Sequence, residues 1–365
     1  MRARAIAGAA VAALITLVTA EVALRLANFI PLPSAPYISD DETGFKLRPS
    51  EITDADGFNN PHTEADPAPA RTAAPGTVAF VGDSFAFGTY PAEAVFPALV
   101  AADLAAEGVT IRAVNLGIPG AGPDTYVRVM RDYLPRLKPM AVVATVYLGN
   151  DVEQGDPRRP TKLWLGRLGS YGSPFSFDPD DLIVVAVASK LFRLAEQAWY
   201  AQYTSLASNP EEAERRSLAF SDEALTRVRW RELKAARIEP DASIARGYGG
   251  LAAHVGEMAS IARKDGVAFL VVLAPSRVEL DADLRARVVQ AFGGDPKDFD
   301  GALPARRVGE ALAARGIPFV DLTPALAAAE PARVYNRGDT HWNRRGNAIA
   351  AAAIADALKP LLPPP

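Results

Sequence analysis

The sequence predicts an α/β fold in which a parallel β-sheet carries helices on both faces. Apolar runs of strand length alternate with segments of helical periodicity along most of the chain. The run 141–148 is rich in β-branched residues, which is typical of a strand that is buried on both faces. Strands that are separated by helices need crossover connections, and these connections place the strands parallel to one another.

The predicted elements follow in chain order. Strands are predicted at 77–81, 110–115, 141–148, 268–273 and 318–322. Helices are predicted at 92–107, 124–137, 245–264, 304–315 and 344–358. These elements define a catalytic domain at 76–365, which residues 30–75 precede. That segment is rich in proline and polar residues, and we expect an extended tether with little regular structure.

Residues 152–245 interrupt the alternation of strands and helices. Their mixed composition and charged stretches predict a mostly helical insertion beside the sheet. The insertion carries the aromatic residues Trp164, Trp199 and Tyr200. These could line a sugar site, but core packing is the simpler interpretation.

Composition excludes several functional classes. The 365 residues carry a net charge of −4 and no sustained basic run, so nucleic acid is not an expected partner. The absence of cysteine excludes disulfides and thiolate chemistry. Three histidines without cysteine are poor material for a metal site, and no dinucleotide fingerprint is present. We therefore expect neither a metal nor a cofactor.

The N-terminus predicts export. Arg2 and Arg4 precede an apolar run at 5–20. One interpretation is a cleaved signal peptide, and the other is an uncleaved anchor within residues 1–29 that crosses the membrane once. In the anchor, Glu21 and Arg25 would pair on the last turn. Both interpretations put the catalytic body outside the cytoplasm.

Two distant segments offer the parts of a serine-based acyl-transfer site. Ser84 follows a predicted strand in the turn Gly82-Asp83-Ser84, and His341 lies two residues after Asp339. A serine hydroxyl is a weak nucleophile until a base takes its proton, and a carboxylate can orient that base. The alternatives are a helix N-cap serine in the first segment and a solvated loop or metal ligand pair in the second.

Two further loops could supply oxyanion donors. Gly120 could bring a backbone amide close to the reacting carbonyl, and Asn150, at the end of the central strand, could donate from its side chain. A simple turn glycine and an Asx turn are the structural alternatives. The other histidines, His62 and His254, are expected to be structural.

Together these segments resemble the SGNH hydrolase superfamily, also called GDSL esterases and lipases. The resemblance covers 77–151 and 268–358, about half of the chain, with its four blocks at 82–85, 120, 149–151 and 339–341. It implies a three-layer flavodoxin-like sandwich and an acyl-ester substrate, and it assigns the four family residues to Ser84, Gly120, Asn150 and His341. The oxyanion hole would then consist of the Ser84 amide, the Gly120 amide and the Asn150 side chain. The motif at 54–59 and the N-terminal helix are similar to membrane-anchored bacterial members, which implies the inner membrane with a periplasmic or extracellular domain.

One departure leaves the function open. The family usually has its acid three residues before the histidine, where this chain has Gly338, and Asp339 stands two before. This spacing, followed by Trp342, is similar to the polysaccharide O-acetyltransferase branch. Asp321, at the end of a strand, is the backup candidate for the acid. Three functions follow as hypotheses: an extracytoplasmic esterase, an O-acetyltransferase that modifies an envelope or exported glycan, and a non-catalytic binding protein on the same scaffold.

Overall fold

A computed structural model describes residues 2–26, 37–50, 52–159, 161–164, 167–170 and 222–363 of the chain. Within these ranges the central feature is a five-stranded sheet in which every pairing is parallel. Its strands are β3 (Thr77–Gly82), β4 (Arg112–Gly117), β5 (Ala141–Tyr147), β8 (Ala268–Ala274) and β9 (Phe319–Asp321). Two antiparallel hairpins lie outside this sheet and consist of β1 (Tyr37–Asp40) with β2 (Gly44–Leu47), and β6 (Thr161–Trp164) with β7 (Arg167–Ser170).

The strand order across the sheet is β4-β3-β5-β8-β9. When the parallel strands are counted along the chain, this order is 2-1-3-4-5, the flavodoxin-like order. In register, Phe80 of β3 pairs with Asn115 on one side and with Val143 on the other. The predicted parallel sheet is thus confirmed, and its switch in strand order lies at β3.

Helices cover both faces of the sheet. The described helices are α1 (Arg2–Leu26), α2 (Ser84–Phe87), α3 (Phe96–Ala106), α4 (Pro123–Leu137), α5 (Asp151–Gln154), α6 (Asp222–Glu232), α7 (Ala242–Lys264), α8 (Arg277–Leu280), α9 (Ala282–Ala291), α10 (Leu303–Ala313), α11 (Thr323–Ala328) and α12 (Arg344–Leu358). Ala79 and Val81 of β3 face a core that α4, α7 and α10 cover. Val78 and Phe80, which point the opposite way, face α3, α11 and α12. This alternation produces three layers.

Element boundaries agree closely with the sequence where capping signals are strong. α4 ends before Pro139, and α12 spans 344–358 as predicted. The predicted helix at 92–107 divides instead into a 3₁₀ turn at Ala92–Ala94 and α3, because the backbone at Val95 is extended (φ −100°, ψ 156°). Pro97 then occupies the first turn of α3, a position in which no hydrogen bond is lost.

The segment before the sheet is more closely packed than the predicted tether. The rings of Phe45 and Phe58 are buried in the same core as β3 and α4. Phe58 packs edge-on against Tyr133 of α4, with ring centroids 5.1 Å apart. Part of 30–75 is therefore integral to the domain, because its aromatic side chains share the core of β3 and α4.

Parts of two predicted regions lie outside the described residues. The insertion is described at α5, the β6–β7 hairpin, α6 and a 3₁₀ turn at Leu233–Ala236. Trp199 and Tyr200 lie outside the described residues, as does the side chain of Trp164. None of the helices in the described ranges combines the length and the hydropathy that crossing a bilayer requires. The predicted membrane helix stays a prediction.

Candidate active site

Ser84 is the first residue of α2, immediately beyond the carboxyl end of β3. Asp83 caps this short helix, and its carboxylate accepts a hydrogen bond from the Phe85 amide at 2.8 Å. The sharp turn needs a glycine before it, since a Cβ on Gly82 would lie 2.8 Å from the Ala86 Cβ and 3.1 Å from the Thr145 carbonyl oxygen. Strand and helix can therefore approach closely enough to hold the hydroxyl at the rim of the sheet.

His341 and Ser84 meet at this rim although 257 residues separate them. The distance between His341 Nε2 and Ser84 Oγ is 2.7 Å. The other ring nitrogen, Nδ1, lies 2.8 and 2.9 Å from the two carboxylate oxygens of Asp339. In this arrangement Asp339 accepts from Nδ1–H, which leaves Nε2 free to accept the serine proton.

The two ionisable partners shift each other's pKa in opposite directions. Burial would lower the pKa of His341, but the hydrogen bond and charge of Asp339, with the charges of Asp83 and Glu232, outweigh burial and raise it. Burial would raise the pKa of Asp339, but its bond to His341 and the Thr340 amide outweigh burial and lower it. Asp339 therefore stays ionised, and its charge makes the imidazole a stronger base.

The structure distinguishes the two candidate acids. The Asp339 carboxylate contacts His341, whereas the Asp321 carboxylate accepts from the Thr323 amide at 2.9 Å at the start of α11. The Asp321 carboxylate is thus bonded within its own turn at the end of β9. The carboxylate two residues before the histidine reaches the ring because the turn at 338–341 brings both side chains to the same side.

Asn150 lies beside the serine turn. Its side-chain nitrogen donates to Asp83 Oδ2 at 3.1 Å, and Asp83 is fully buried. Burial raises the pKa of Asp83, while its bonds from Phe85 and Asn150 and the charge of His341 lower it. The bond fixes the side-chain nitrogen of Asn150 toward the serine turn, and the second hydrogen on that nitrogen stays available as a donor.

Gly120 lies in the turn after β4 with φ of +75°, a backbone conformation that favours glycine. Its carbonyl oxygen accepts from Gln154 Nε2 at 3.5 Å, and Gln154 belongs to the helix that Asn150 caps. The loops after β4 and β5 therefore contact each other. The three predicted oxyanion residues lie at the carboxyl ends of three adjacent strands.

Aromatic rings surround the Ser84–His341 pair. Phe85 stacks on Tyr147 with centroids 3.9 Å apart, and its ring lies 5.1 Å from the His341 imidazole. Trp342, almost fully buried, packs edge-on against Phe85 at 4.9 Å. Phe85 thus packs against the imidazole, and Tyr147 and Trp342 pack against Phe85.

Sequence reasoning missed an asparagine network that holds the serine turn. Asn115 Nδ2 donates to the Ala86 carbonyl oxygen at 2.7 Å, and Asn59 Nδ2 donates to the Phe87 carbonyl oxygen at 2.8 Å. The available signal was the adjacent pair Asn59 and Asn60 after Gly-Phe, since buried amides often bond to backbone groups. Of the other histidines, His62 has Nδ1 3.0 Å from the Asn60 carbonyl oxygen.

Residues 242–364, about a third of the chain, match a family model described as "SGNH hydrolase-like domain, acetyltransferase AlgX". This stretch contains His341 and Asp339, and the structure brings Ser84 and Asn150 to it. Over this stretch the chain is similar to SGNH hydrolase-like domains. The four residues predicted from the resemblance, Ser84, Gly120, Asn150 and His341, lie in or next to loops at the carboxyl-end edge of the sheet.

Several solved structures are similar to the chain over most of its length. A lipase/acylhydrolase from Enterococcus faecalis is 15% identical, with 79% of this chain and 98% of that chain covered and a TM-score of 0.42. Axe2, an acetylxylan esterase from Geobacillus stearothermophilus, is 15% identical, with coverages of 79% and 96% and a TM-score of 0.41. TesA is 16% identical, with coverages of 78% and 99% and a TM-score of 0.42. No curated protein matches the sequence.

Proposed function

We propose that this protein is an enzyme of the SGNH type that transfers an acyl group from an ester to Ser84. The observation that carries the proposal is the continuous chain of hydrogen bonds Ser84–His341–Asp339, with distances of 2.7 and 2.8 Å. A nucleophile, a base and an orienting acid within hydrogen-bond reach are the geometric requirement for this chemistry.

The first half-reaction forms an acyl-serine. Ser84 Oγ attacks the ester carbonyl carbon, and its proton moves to His341 Nε2. The negative charge that develops on the carbonyl oxygen is stabilised by the Ser84 and Gly120 amides and by the Asn150 side chain. The tetrahedral intermediate then collapses, the alkoxide leaves, and it takes the proton from Nε2. Removing one oxyanion donor typically lowers turnover by about 10²–10³-fold.

The second half-reaction depends on the acceptor. In a hydrolase, water gives a proton to His341 Nε2 and attacks the carbonyl carbon of the acyl-serine. The bond to Ser84 Oγ then breaks, Oγ takes the proton back from Nε2, and the acid is released. An ester hydrolase is the primary proposal, with acetyl as the acyl group. The second candidate is an O-acetyltransferase, in which a sugar hydroxyl replaces water. It is favoured by the acetyltransferase family model that covers Asp339 and His341.

One experiment tests the shared step. We expect the full chain to hydrolyse a simple aryl acetate and to lose this activity in Ser84→Ala. A serine-directed fluorophosphonate probe should label the wild-type chain and leave the variant unlabelled. If the variant retains near wild-type turnover, Ser84 is not the nucleophile. If neither turnover nor labelling occurs in the wild type, the third hypothesis, a binding protein on this scaffold, gains support.

Product analysis separates the two acceptors. With an acetyl donor and a glycan acceptor, a hydrolase releases acetate at the same rate with or without the glycan. A transferase forms acetylated glycan, and its release of free acetate falls as glycan is added. The two outcomes are distinguished by mass spectrometry of the glycan.

We also propose that the catalytic body is exported. Two arginines before an apolar run support this location, as do the large apolar side chains that α1 leaves exposed, including Leu14, Ile15 and Leu17. A phosphatase fusion at the C-terminus should be active in a bacterial host only if that end is outside the cytoplasm. The intact mass of the expressed chain then decides between removal of the segment near Ala20 and retention of residues 1–29 as an anchor.

A further inference from the structure

Glu232 is a buried carboxyl group at the rim of the active site that the acyl-transfer steps do not use. It is the last residue of α6, in the insertion, and is only 3% exposed. The Tyr147 hydroxyl donates to Glu232 Oε1 at 2.7 Å. This bond joins the insertion to the carboxyl end of the central strand β5, since Tyr147 is the last residue of that strand.

Tyr147 lies between two turns of the site. On one side its ring stacks on Phe85, the residue after Ser84, with an interplanar angle of 22°. On the other side the backbone of Gly149 lies against its hydroxyl end, where an added Cβ would be 2.8 Å from the tyrosine oxygen. A shift of this ring would therefore disturb both Phe85, next to the nucleophile, and Gly149, next to the oxyanion donor Asn150.

We propose that Glu232 is a positioning residue for acyl transfer: it holds the Tyr147 ring between the Ser84 turn and the Asn150 turn, and its charge acts on His341. The inference rests on the proposed function and gives the insertion a specific part in it. Helix α6 would then be part of the working site although it contains none of the four family residues.

Because Glu232 is buried, its carboxyl group should change between the neutral and the charged form near neutral pH. Burial raises the pKa of Glu232 to about 7, while its bond from Tyr147 and the charges of Arg229 and His341 oppose that rise. The negative charge of Glu232 is in turn one of the groups that raise the pKa of His341. Glu232 interacts electrostatically with groups on four parts of the fold. These groups are Arg229 of α6, Tyr147 of β5, Glu279 of α8, and Tyr335, Asp339 and His341 in the loop before α12.

The sign of the effect follows from this linkage. Glu232→Gln removes a negative charge that stabilises the protonated imidazole, so the pKa of His341 must fall. Charges separated by several ångströms near a protein surface interact strongly enough to shift a pKa by about 0.2–1 unit. Activity requires neutral His341, so the acid limb of the pH–rate profile should move to lower pH by the same amount.

The test uses the full chain and two independent readouts. Proton NMR follows the imidazole of His341, which a His341→Gln spectrum identifies among the three histidines of the sequence. Steady-state kinetics on an aryl acetate gives the pH profile of kcat/KM. Tyr147→Phe is the second variant, because it keeps the ring but removes the donor to Glu232. Loss of this hydrogen bond should raise the pKa of Glu232 further, which leaves less negative charge near His341. The apparent pKa of His341 should therefore fall, as it does in Glu232→Gln.

Glu153→Gln is the matched control. Glu153 Oε1 accepts from Lys234 Nζ at 2.7 Å, two residues beyond Glu232, so the control removes a carboxylate that holds the same part of the chain. We expect the pKa of His341 and the acid limb of the pH–rate profile in Glu153→Gln to match those of the wild type within about 0.1 unit, because Glu153 does not contact Tyr147.

Two results would overturn the inference. One is a His341 titration in Glu232→Gln that is unchanged or moves to higher pH. The other is a fall in the plateau rate with an unmoved acid limb, which would make Glu232 merely structural. Failure of the proposed function is a separate result: the wild type would show no turnover, while the NMR titration would still test the link between Glu232 and His341.

Discussion

Asn60 completes the free edge of the sheet, and its replacement should destabilise the whole domain. The strand order places β4 at an edge, and the Asn60 side chain bonds there like a neighbouring strand. The Asn115 amide donates to Asn60 Oδ1 at 2.8 Å, and Asn60 Nδ2 donates to the Asn115 carbonyl oxygen at 2.9 Å. The second hydrogen on Nδ2 goes to Asp54 Oδ2 at 2.9 Å. Asn60→Ala therefore leaves three buried polar groups without these partners.

The magnitude follows from these three bonds. An unsatisfied buried polar group typically costs about 1–3 kcal/mol. Asn60 is only 4% exposed, so water has little access. We predict that Asn60→Ala lowers the free energy of unfolding by about 3–5 kcal/mol, and that Tm falls by at least about 5 °C. Chemical and thermal unfolding, both followed by circular dichroism, measure the two quantities.

The effect should depend on pH and reach the active site. Burial raises the pKa of Asp54, and the bond from Asn60 opposes that rise. Without Asn60 the pKa of Asp54 rises further, so the loss of stability should be larger at a pH where Asp54 is ionised in the folded protein than at an acidic pH where it is protonated. Labelling of Ser84 by the serine probe should also slow, because Asn115 holds the Ala86 carbonyl.

His62→Ala provides the control for this prediction. His62 is an exposed neighbour of Asn60, and we expect its removal to change stability by no more than about 0.5 kcal/mol. If Asn60→Ala melts at the wild-type temperature, the contribution assigned to the β4 edge is wrong.

Two further predictions concern the site itself. Asp339→Asn should lower kcat by about 10²–10⁴-fold, since the imidazole loses the acid that orients it. The acid limb of the pH–rate profile should move to lower pH, because Asp339 raises the pKa of His341. An acid limb that moves to higher pH would contradict the assignment. Gly149→Ala should lower kcat at least tenfold in a chain that still folds, because the new Cβ would lie 2.7 Å from Tyr147 Cζ. The matched control is Gly249→Ala, at a helical position with open space, which should keep full activity and gain up to about 1 kcal/mol in stability.

The sequence predicts the sheet and the rim well because both depend on local patterns. The run 141–148 is apolar except for Thr145 and the hydroxyl of Tyr147, and it forms a central strand whose every residue is buried, at Ala141–Tyr147. The carboxyl ends of parallel strands share one edge of a sheet, so the residues after β3, β4 and β5 were expected to meet there. The predicted contact between Ser84 and His341 depends on this rule and not on their separation along the chain.

Other parts could not be predicted from these patterns. The sequence predicts no element at 277–291, where helices α8 and α9 lie. Both are short, and their first turns are held by a bond from the Ser276 amide to Glu279 and by Asp281, which accepts from the Leu284 amide. The sequence predicts only a tether for the segment that holds Asn60 and Asp54, since bonds from side-chain amides to backbone groups leave no periodic signal. Glu232 and Tyr147 lie in different elements, and neither residue belongs to a recognisable motif, so the sequence does not predict their contact.

The strand order also explains why the histidine comes from so far along the chain. Ser84 follows β3, whose two neighbours in the sheet are β4 and β5. The loops after those neighbours, which carry Gly120 and Asn150, occupy the two sides of the serine, so the base has to approach over the serine turn itself. His341 does so from the loop before α12, the helix that packs on α3 beneath that turn. Asn347 Oδ1 of α12 accepts from the Phe96 amide at 3.0 Å, at the first residue of α3. The packing of α12 against α3 therefore determines the position of His341 relative to Ser84. Neither of these two helices contains a catalytic side chain.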